Sequence, residues 1–175
     1  MNFLIDFLKN NESYLDMISN LKSNNVPIYC NGLIKESLFH LIYSIFNEIP
    51  NKNLVLLVES EARANELCDE LKNLIGDKVA VYPNFEIRFH NINSLETNLE
   101  NHRIEIMNRL ISNEKFIIIT TASALSKKLS TPKFFKSHYI YIDENSEVNL
   151  NELTERLIRC IMIGWILLKL KVSFQ

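Results

Sequence analysis

The sequence predicts an α/β fold: a parallel sheet with helices on both faces, followed by the start of a second α+β domain. Three observations predict it. Short strand-like runs alternate with stretches whose apolar residues recur at helical spacing. Two of those runs, Leu54–Val58 and Phe116–Thr120, are apolar almost throughout, as strands covered on both faces are. After Thr131-Pro132 the alternation changes character. Strands separated by amphipathic helices form right-handed βαβ units, and these build parallel sheets.

Taken in order, residues 3–8 and 12–22 read as short amphipathic helices, the second with Tyr14, Leu15, Ile18 and Leu21 at helical spacing. Val26–Cys30 reads as the first strand. Ser37–Ile49 is apolar almost all round, through Leu38, Phe39, Leu41, Ile42, Ile45 and Phe46, which marks a helix buried between layers. Leu54–Val58 is the second strand. Ser60–Leu74 places Ala64, Leu67, Cys68, Leu71 and Leu74 on one helical face and closes at Gly76. Val79–Tyr82 is a third strand ending at Pro83; the chain is then irregular and polar until helical spacing resumes at Glu100–Ile111 through Ile104, Met107, Leu110 and Ile111. Phe116–Thr120 is the fourth strand, and Thr121-Ala122-Ser123 a helix start with its N-cap at Ser123. Beyond the Thr131-Pro132 break, Tyr139–Ile142 alternates as a strand, and Asn149–Cys160 is a helix with Leu150, Leu153 and Leu157 inward.

The first strand runs into Asn31, Gly32, Leu33, Ile34, Lys35, Glu36 and Ser37 and then a helix, the position of a phosphate loop in a nucleotide-binding fold. Such a loop needs G-x-x-x-x-G-K-S/T, because its glycines let successive backbone N–H groups close round the phosphates while the Lys and the hydroxyl serve the outer phosphates and Mg²⁺. Here only Gly32 is present, the β-branched Ile34 precedes Lys35, and Glu36 adds a negative charge. Asn31, Gly32, Lys35 and Ser37 thus form a degenerate loop, and the expectation is an NTPase-like scaffold without an ATP site, hence no cofactor and no catalytic residues.

Composition bounds the rest. With 175 residues, 47% hydrophobic and 23% charged, the chain can bury a core as one domain or one domain plus the opening of another. A net charge of −2 supplies no bulk attraction to DNA or anionic lipid, so nucleic-acid contact would need a local patch. Cys30, Cys68 and Cys160 have no C-x-x-C spacing and read as reduced, packed thiols of a cytoplasmic protein. The start of the chain lacks a signal peptide's basic and apolar regions, and the longest apolar run, Cys160–Leu168, is about half the ~20 residues of a membrane span. His40, His90, His102 and His138 lack metal-ligand spacing.

Lys127, Lys128, Lys133 and Lys136, with His138, make a basic run around the domain boundary. It reads as a solvated face, with contact to nucleic-acid phosphate or a partner as the alternative. Asp143, Glu144 and Glu147 read as a solvated turn, and Ser60 with Glu61 as a helix start. Thr120, Thr121 and Ser123 stand where helicase-like sheets touch a nucleic-acid backbone, and a strand end plus cap explains them equally well.

The serial order of Ile28–Ser37, Glu59-Ser60-Glu61-Ala62, Val81–Glu86, Ser94 with Arg103 and Arg109-Leu110, and Ile119–Leu125 resembles the N-terminal module of the bacterial transcription-repair coupling factor family. That module is similar to domain 1a of the damage-recognition helicase UvrB without its ATP site. UvrB itself is disfavoured, since its glycine-rich GSGKT loop and its tyrosine-rich insertion after the third strand have no counterpart here. The resemblance covers roughly residues 25–160. It implies a non-catalytic interaction module that links stalled RNA polymerase to nucleotide excision repair through UvrA, whose docking surface lies mainly in an inserted second domain. The full-length proteins are ATP-dependent DNA translocases whose motor domains, absent here, use the ATP. The domain organisation expected is N-terminal helices at 1–24, the UvrB-like domain at 25–130, the opening of the UvrA-interaction domain at 131–160, and a tail at 161–175.

That tail matches nothing in the family in register. Met162 and Trp165 have one codon each, so reading from the third base of each codon forces Asp at Met162-Ile163 and at Trp165-Ile166. With permitted codons elsewhere, the shifted frame resembles GYxRxDxVExxGEFSxRGG, the segment with which the family continues. The expectation is a frameshift after about Cys160, which would leave an apolar, out-of-frame tail. The other function class left open is a free-standing α/β protein that binds a nucleotide or nucleic acid through an atypical Gly32–Ser37 loop.

Overall fold

The computed structural model describes residues 3–84, 95–126, 128–129, 131–138, 140–142, 149–162 and 168–170. The chain divides into two compact units, Met1–Ser126 and Lys127–Gln175.

The first unit opens with α1 (Phe3–Leu8) and α2 (Glu12–Lys22). Asn11 caps α2 by accepting from the Tyr14 N–H, and the apolar stripe buries Tyr14, Met17 and Ile18. α3 (Lys35–Glu48) begins two residues earlier than its apolar pattern, because only backbone geometry, not apolarity, defines a first turn. β1 (Leu54–Val58) leads to α4 (Glu61–Ile75), which starts at the Ser60 cap and stops at Gly76 (φ +60°), a left-handed backbone that glycine adopts at least cost. β2 (Val79–Val81), α5 (Leu95–Ile111), β3 (Ile117–Thr121) and α6 (Ala122–Leu125) complete the unit.

The sheet is parallel, in the order β1-β3-β2. Leu54 faces Ile117 on one side of the central strand and Val79 faces it on the other. All five residues of β3 are buried, as a central strand with helices over both faces requires. On one face Ile117, Ile119 and Val79 pack with Ile42 and Phe46 of α3 and Ala64, Leu67, Cys68 and Leu71 of α4. On the other, Ile118, Phe116, Ala80 and Tyr82 pack with Ile106 of α5 and Ala124 of α6. Fully burying each large side chain is worth ~1.5–3 kcal/mol, so these two layers are what hold the sheet between its helices.

Three expectations are corrected here. Val26–Cys30 is not a strand: it has no partner strand among the described residues, Pro27 offers no N–H to a ladder, and Ile28 packs instead on the cluster that α2 makes with Leu41 and Ile45 of α3. β1 is apolar throughout but covered on one face only, since Val55 and Leu57 are 51% and 62% exposed. The cover of α5 and α6 reaches the central strand and β2 and stops short of this edge strand. α5 begins at Leu95 rather than Glu100, because the largely polar sequence of its first turns carries no apolar stripe to announce them. The irregular segment at 85–94 lies outside the described residues.

Long cations fasten the elements. Arg103 of α5 lies 4.3 Å from the Tyr82 ring and donates to the Pro83 carbonyl (2.8 Å). Arg109 lies 4.2 Å from the Phe116 ring and donates to the Asp77 carbonyl (2.7 Å). Lys115 donates to the Phe46 carbonyl (2.6 Å), and burial pulls its ammonium below the usual lysine range. Lys22 donates to Glu48 at 3.2 Å, with Lys9 at 3.5 Å, and these cations hold the Glu48 carboxyl below its ordinary value.

The second unit contains α7 (Pro132–His138), β4 (Ile140–Ile142), α8 (Leu150–Met162) and β5 (Leu168–Leu170). Pro132 opens α7 at the position where its missing N–H costs nothing. β4 and β5 pair in parallel, Ile140 facing Leu168 and Ile142 facing Leu170. The acidic segment Asp143, Glu144 and Glu147 lies outside the described residues.

Candidate functional site

The loop that carries the nucleotide question runs from Cys30 into α3. Residues 25–34 have no regular secondary structure, and Val26, Tyr29 (85%), Leu33 and Ile34 are exposed. Gly32 has φ +80°, and a Cβ placed there would meet nothing within 4 Å. The glycine therefore serves the left-handed turn of the backbone and no close approach of packed groups. Ile34 occupies the cap position of α3 without a side-chain bond to the first turn, and the Ser37 N–H is closed onto the Ile34 carbonyl at 3.0 Å. One of the amides that a phosphate would use is thus spent inside the turn. Asn31 is exposed and Ser37 half-buried, while the side chains of Lys35 and Glu36 lie outside the described part.

Cys30, expected in a packed strand, is exposed instead, because the strand that would have buried it is not formed; its thiol meets Met17 Sδ at 3.7 Å. Cys68 is buried as expected, and that burial pushes its thiol up. The Cys160 side chain lies outside the described part.

The hydroxyls at the end of β3 all have structural work. Thr120 Oγ1 donates to the Tyr82 carbonyl at 3.0 Å. Thr121 Oγ1 lies 2.9 Å from Ser123 Oγ and accepts from the Ala124 N–H at 3.3 Å. The cap of α6 is therefore Thr121, not Ser123: the strand runs one residue further than its apolar part, so the first hydroxyl at the junction takes the cap. Ser60 accepts from the Arg63 N–H at 3.2 Å, as the helix-start reading of Ser60 and Glu61 requires.

Of the basic run, Lys128 is exposed, and Lys133 and Lys136 are exposed three residues apart on α7, where they share a side of the helix. Lys127 lies outside the described residues. Of the histidines, His102 is exposed on α5, and His40 has a buried Nε2 with no hydrogen-bond partner. His90 and the His138 side chain lie outside the described part. Among the described residues no group of three His, Cys, Asp or Glu is placed to hold a metal, and no helix is long and apolar enough to cross a membrane.

The residues that periodicity did not mark are Arg103, Arg109 and Lys115. Each is a cation set over an aromatic ring outside its own element, and no helical or strand period pairs residues across elements.

No family model and no solved structure matches the chain. It is similar to the transcription-repair-coupling factor of Bacillus subtilis (strain 168), with 24% identity over 153 residues, which is 87% of this chain and 13% of that protein. The resemblance drawn from the order of the motifs is therefore shown at distant similarity, and the chain spans well under a fifth of that relative's length.

Proposed function

We propose that the chain is a non-catalytic interaction module of a transcription-repair coupling factor, one that helps connect stalled RNA polymerase to nucleotide excision repair through UvrA. The observation that carries this reading is the similarity to the coupling factor over 87% of the chain. Two structural features support it. The parallel sheet with helices on both faces is of the α/β kind that nucleotide-binding folds also use. The loop ahead of α3 has Gly32 as its one glycine, and the Ser37 amide is already engaged by the Ile34 carbonyl. UvrA contact belongs in this reading to the second unit and to the segment that relatives carry beyond it. Lys128, Lys133 and Lys136 are exposed cations available there to a partner or to phosphate, and Lys127 belongs to the same basic run in the sequence. Residues 161–175 are read as out of frame, through a frameshift in the gene or in its sequencing after about Cys160.

Mg-ATP is expected not to bind. Isothermal titration of the 175-residue protein with Mg-ATP should give no heat of binding, and Lys35→Ala should change nothing. Micromolar binding that Lys35→Ala abolishes would overturn the reading in favour of a free-standing nucleotide-binding protein.

A further inference from the structure

From Lys115 to Ile142 the chain carries five lysines and no aspartate, glutamate or arginine, although its net charge is −2. Positive charge is thereby concentrated around the start of the second unit. There Thr131 accepts from the Phe134 N–H at 3.3 Å and sets the first turn of α7. At about 100° per residue, Lys136, Lys133, Ser137 and Phe134 follow one another around one side of that helix, and all four are exposed. Phe135, half-buried, falls on the other side. Lys128, just ahead of the helix, is exposed as well. Among the described residues no carboxylate pairs with Lys128, Lys133 or Lys136.

The composition of this face narrows what it meets. Lysine is almost never fully buried, so the three cations stay in water whatever else packs on the Phe135 side. A protein partner fits less well, because lysine is depleted at protein interfaces, whereas arginine, the residue enriched there and the one that forks onto carboxylates, is absent from the whole stretch. Phosphate suits a compact ammonium as a point charge, and a row of lysines neutralises successive phosphates with no demand on base sequence. An exposed ring beside such a row offers a stacking surface, which a strand can use only where its bases are unpaired.

We propose that α7 and the segment just before it form a docking surface for single-stranded nucleic acid, with Lys128, Lys133 and Lys136 on the backbone and Phe134 against a base. This goes beyond the interaction module proposed above and stands whether or not UvrA binds. With few phosphates engaged, the contact is weak, salt-dependent and indifferent to sequence, in the range of ~10⁻⁴–10⁻⁶ M that non-specific binding occupies.

Fluorescence anisotropy of a labelled oligothymidylate, titrated with the 175-residue protein at several salt concentrations, tests this. Micromolar binding at low salt is expected, with log K falling linearly against log salt. Lys133→Gln combined with Lys136→Gln should weaken binding and flatten that slope by about 0.7 per lysine removed. Lys128→Gln, outside the helix, should flatten it by the same step even if α7 does not tolerate substitution. Phe134→Ala should weaken binding at unchanged slope, and Lys72→Gln combined with Lys78→Gln, at exposed lysines of the first unit, should change neither. Absence of binding at low salt overturns the proposal, and so does binding that the Lys72 and Lys78 changes weaken equally, which is bulk attraction. Tighter binding to polyglutamate would assign the face to an acidic protein instead. Equal binding of a duplex of the same length, untouched by Phe134→Ala, would overturn the single-strand assignment. UvrA retention is measured separately, so either reading can fail alone.

Discussion

Phe116→Ala is expected to cost about 3–5 kcal/mol of folding stability, the range for removing a buried aromatic ring from a packed core. Phe116 is fully buried at the entry to the central strand, in the layer formed by Ile106, Ala80, Tyr82 and Ile118. Its ring also carries the Arg109 guanidinium at 4.2 Å, and Arg109 in turn holds the Asp77 carbonyl just before β2. Truncation therefore opens a cavity and loosens the contact between α5 and the sheet together. Urea unfolding followed by circular dichroism reads the loss as a lower midpoint at unchanged slope. A loss below about 1 kcal/mol, the level of an ordinary substitution, would contradict the packing described for this face.

Leu71→Ala, on the opposite face, is expected to cost about 2–5 kcal/mol. Leu71 is fully buried where α4 meets Val79, Ile117 and Ile119. Leu57→Ala removes the same atoms from the exposed side of β1 and should stay within about 0.5 kcal/mol. The contrast between two leucines checks where the helical cover ends. Equal losses at Leu71 and Leu57 would mean that β1 is covered on both faces after all.

Much of this architecture was legible because burial leaves a period in the chain. Ala64, Leu67, Cys68 and Leu71 share a helical face between a serine cap and a glycine stop, and α4 forms between Ser60 and Gly76 as that pattern requires. The run at Ile117–Thr121 is apolar because helices lie above and below it. Where the pattern misled, the deciding fact was a neighbour rather than a local preference. Val26–Cys30 has strand-like residues, yet a strand needs a partner, and five residues do not say whether one is within reach. Leu54–Val58 is as apolar as the central strand, and its composition could not reveal that Val55 and Leu57 stay exposed.

The candidate site was legible as chemistry more than as geometry. One glycine where a phosphate loop needs several is plain in the sequence, and the structure adds that Gly32 faces open space and that the Ser37 amide is already engaged. Thr121 and Ser123 are both competent caps, and one extra residue of strand decided between them. The pairing of Arg103 with Tyr82 and of Arg109 with Phe116 depends on how α5 lies over the sheet, which no local spacing encodes.

UvrA capture tests the central claim most directly. The 175-residue chain and a version with the reading frame restored after Cys160 are immobilised at equal density and exposed to purified UvrA. The account predicts that the restored chain retains UvrA and that the 175-residue chain retains little or none, since the proposed docking surface lies largely beyond Cys160. Retention by neither form would contradict the assignment to the coupling factor's interaction module, and equal retention by both would contradict the placement of the docking surface.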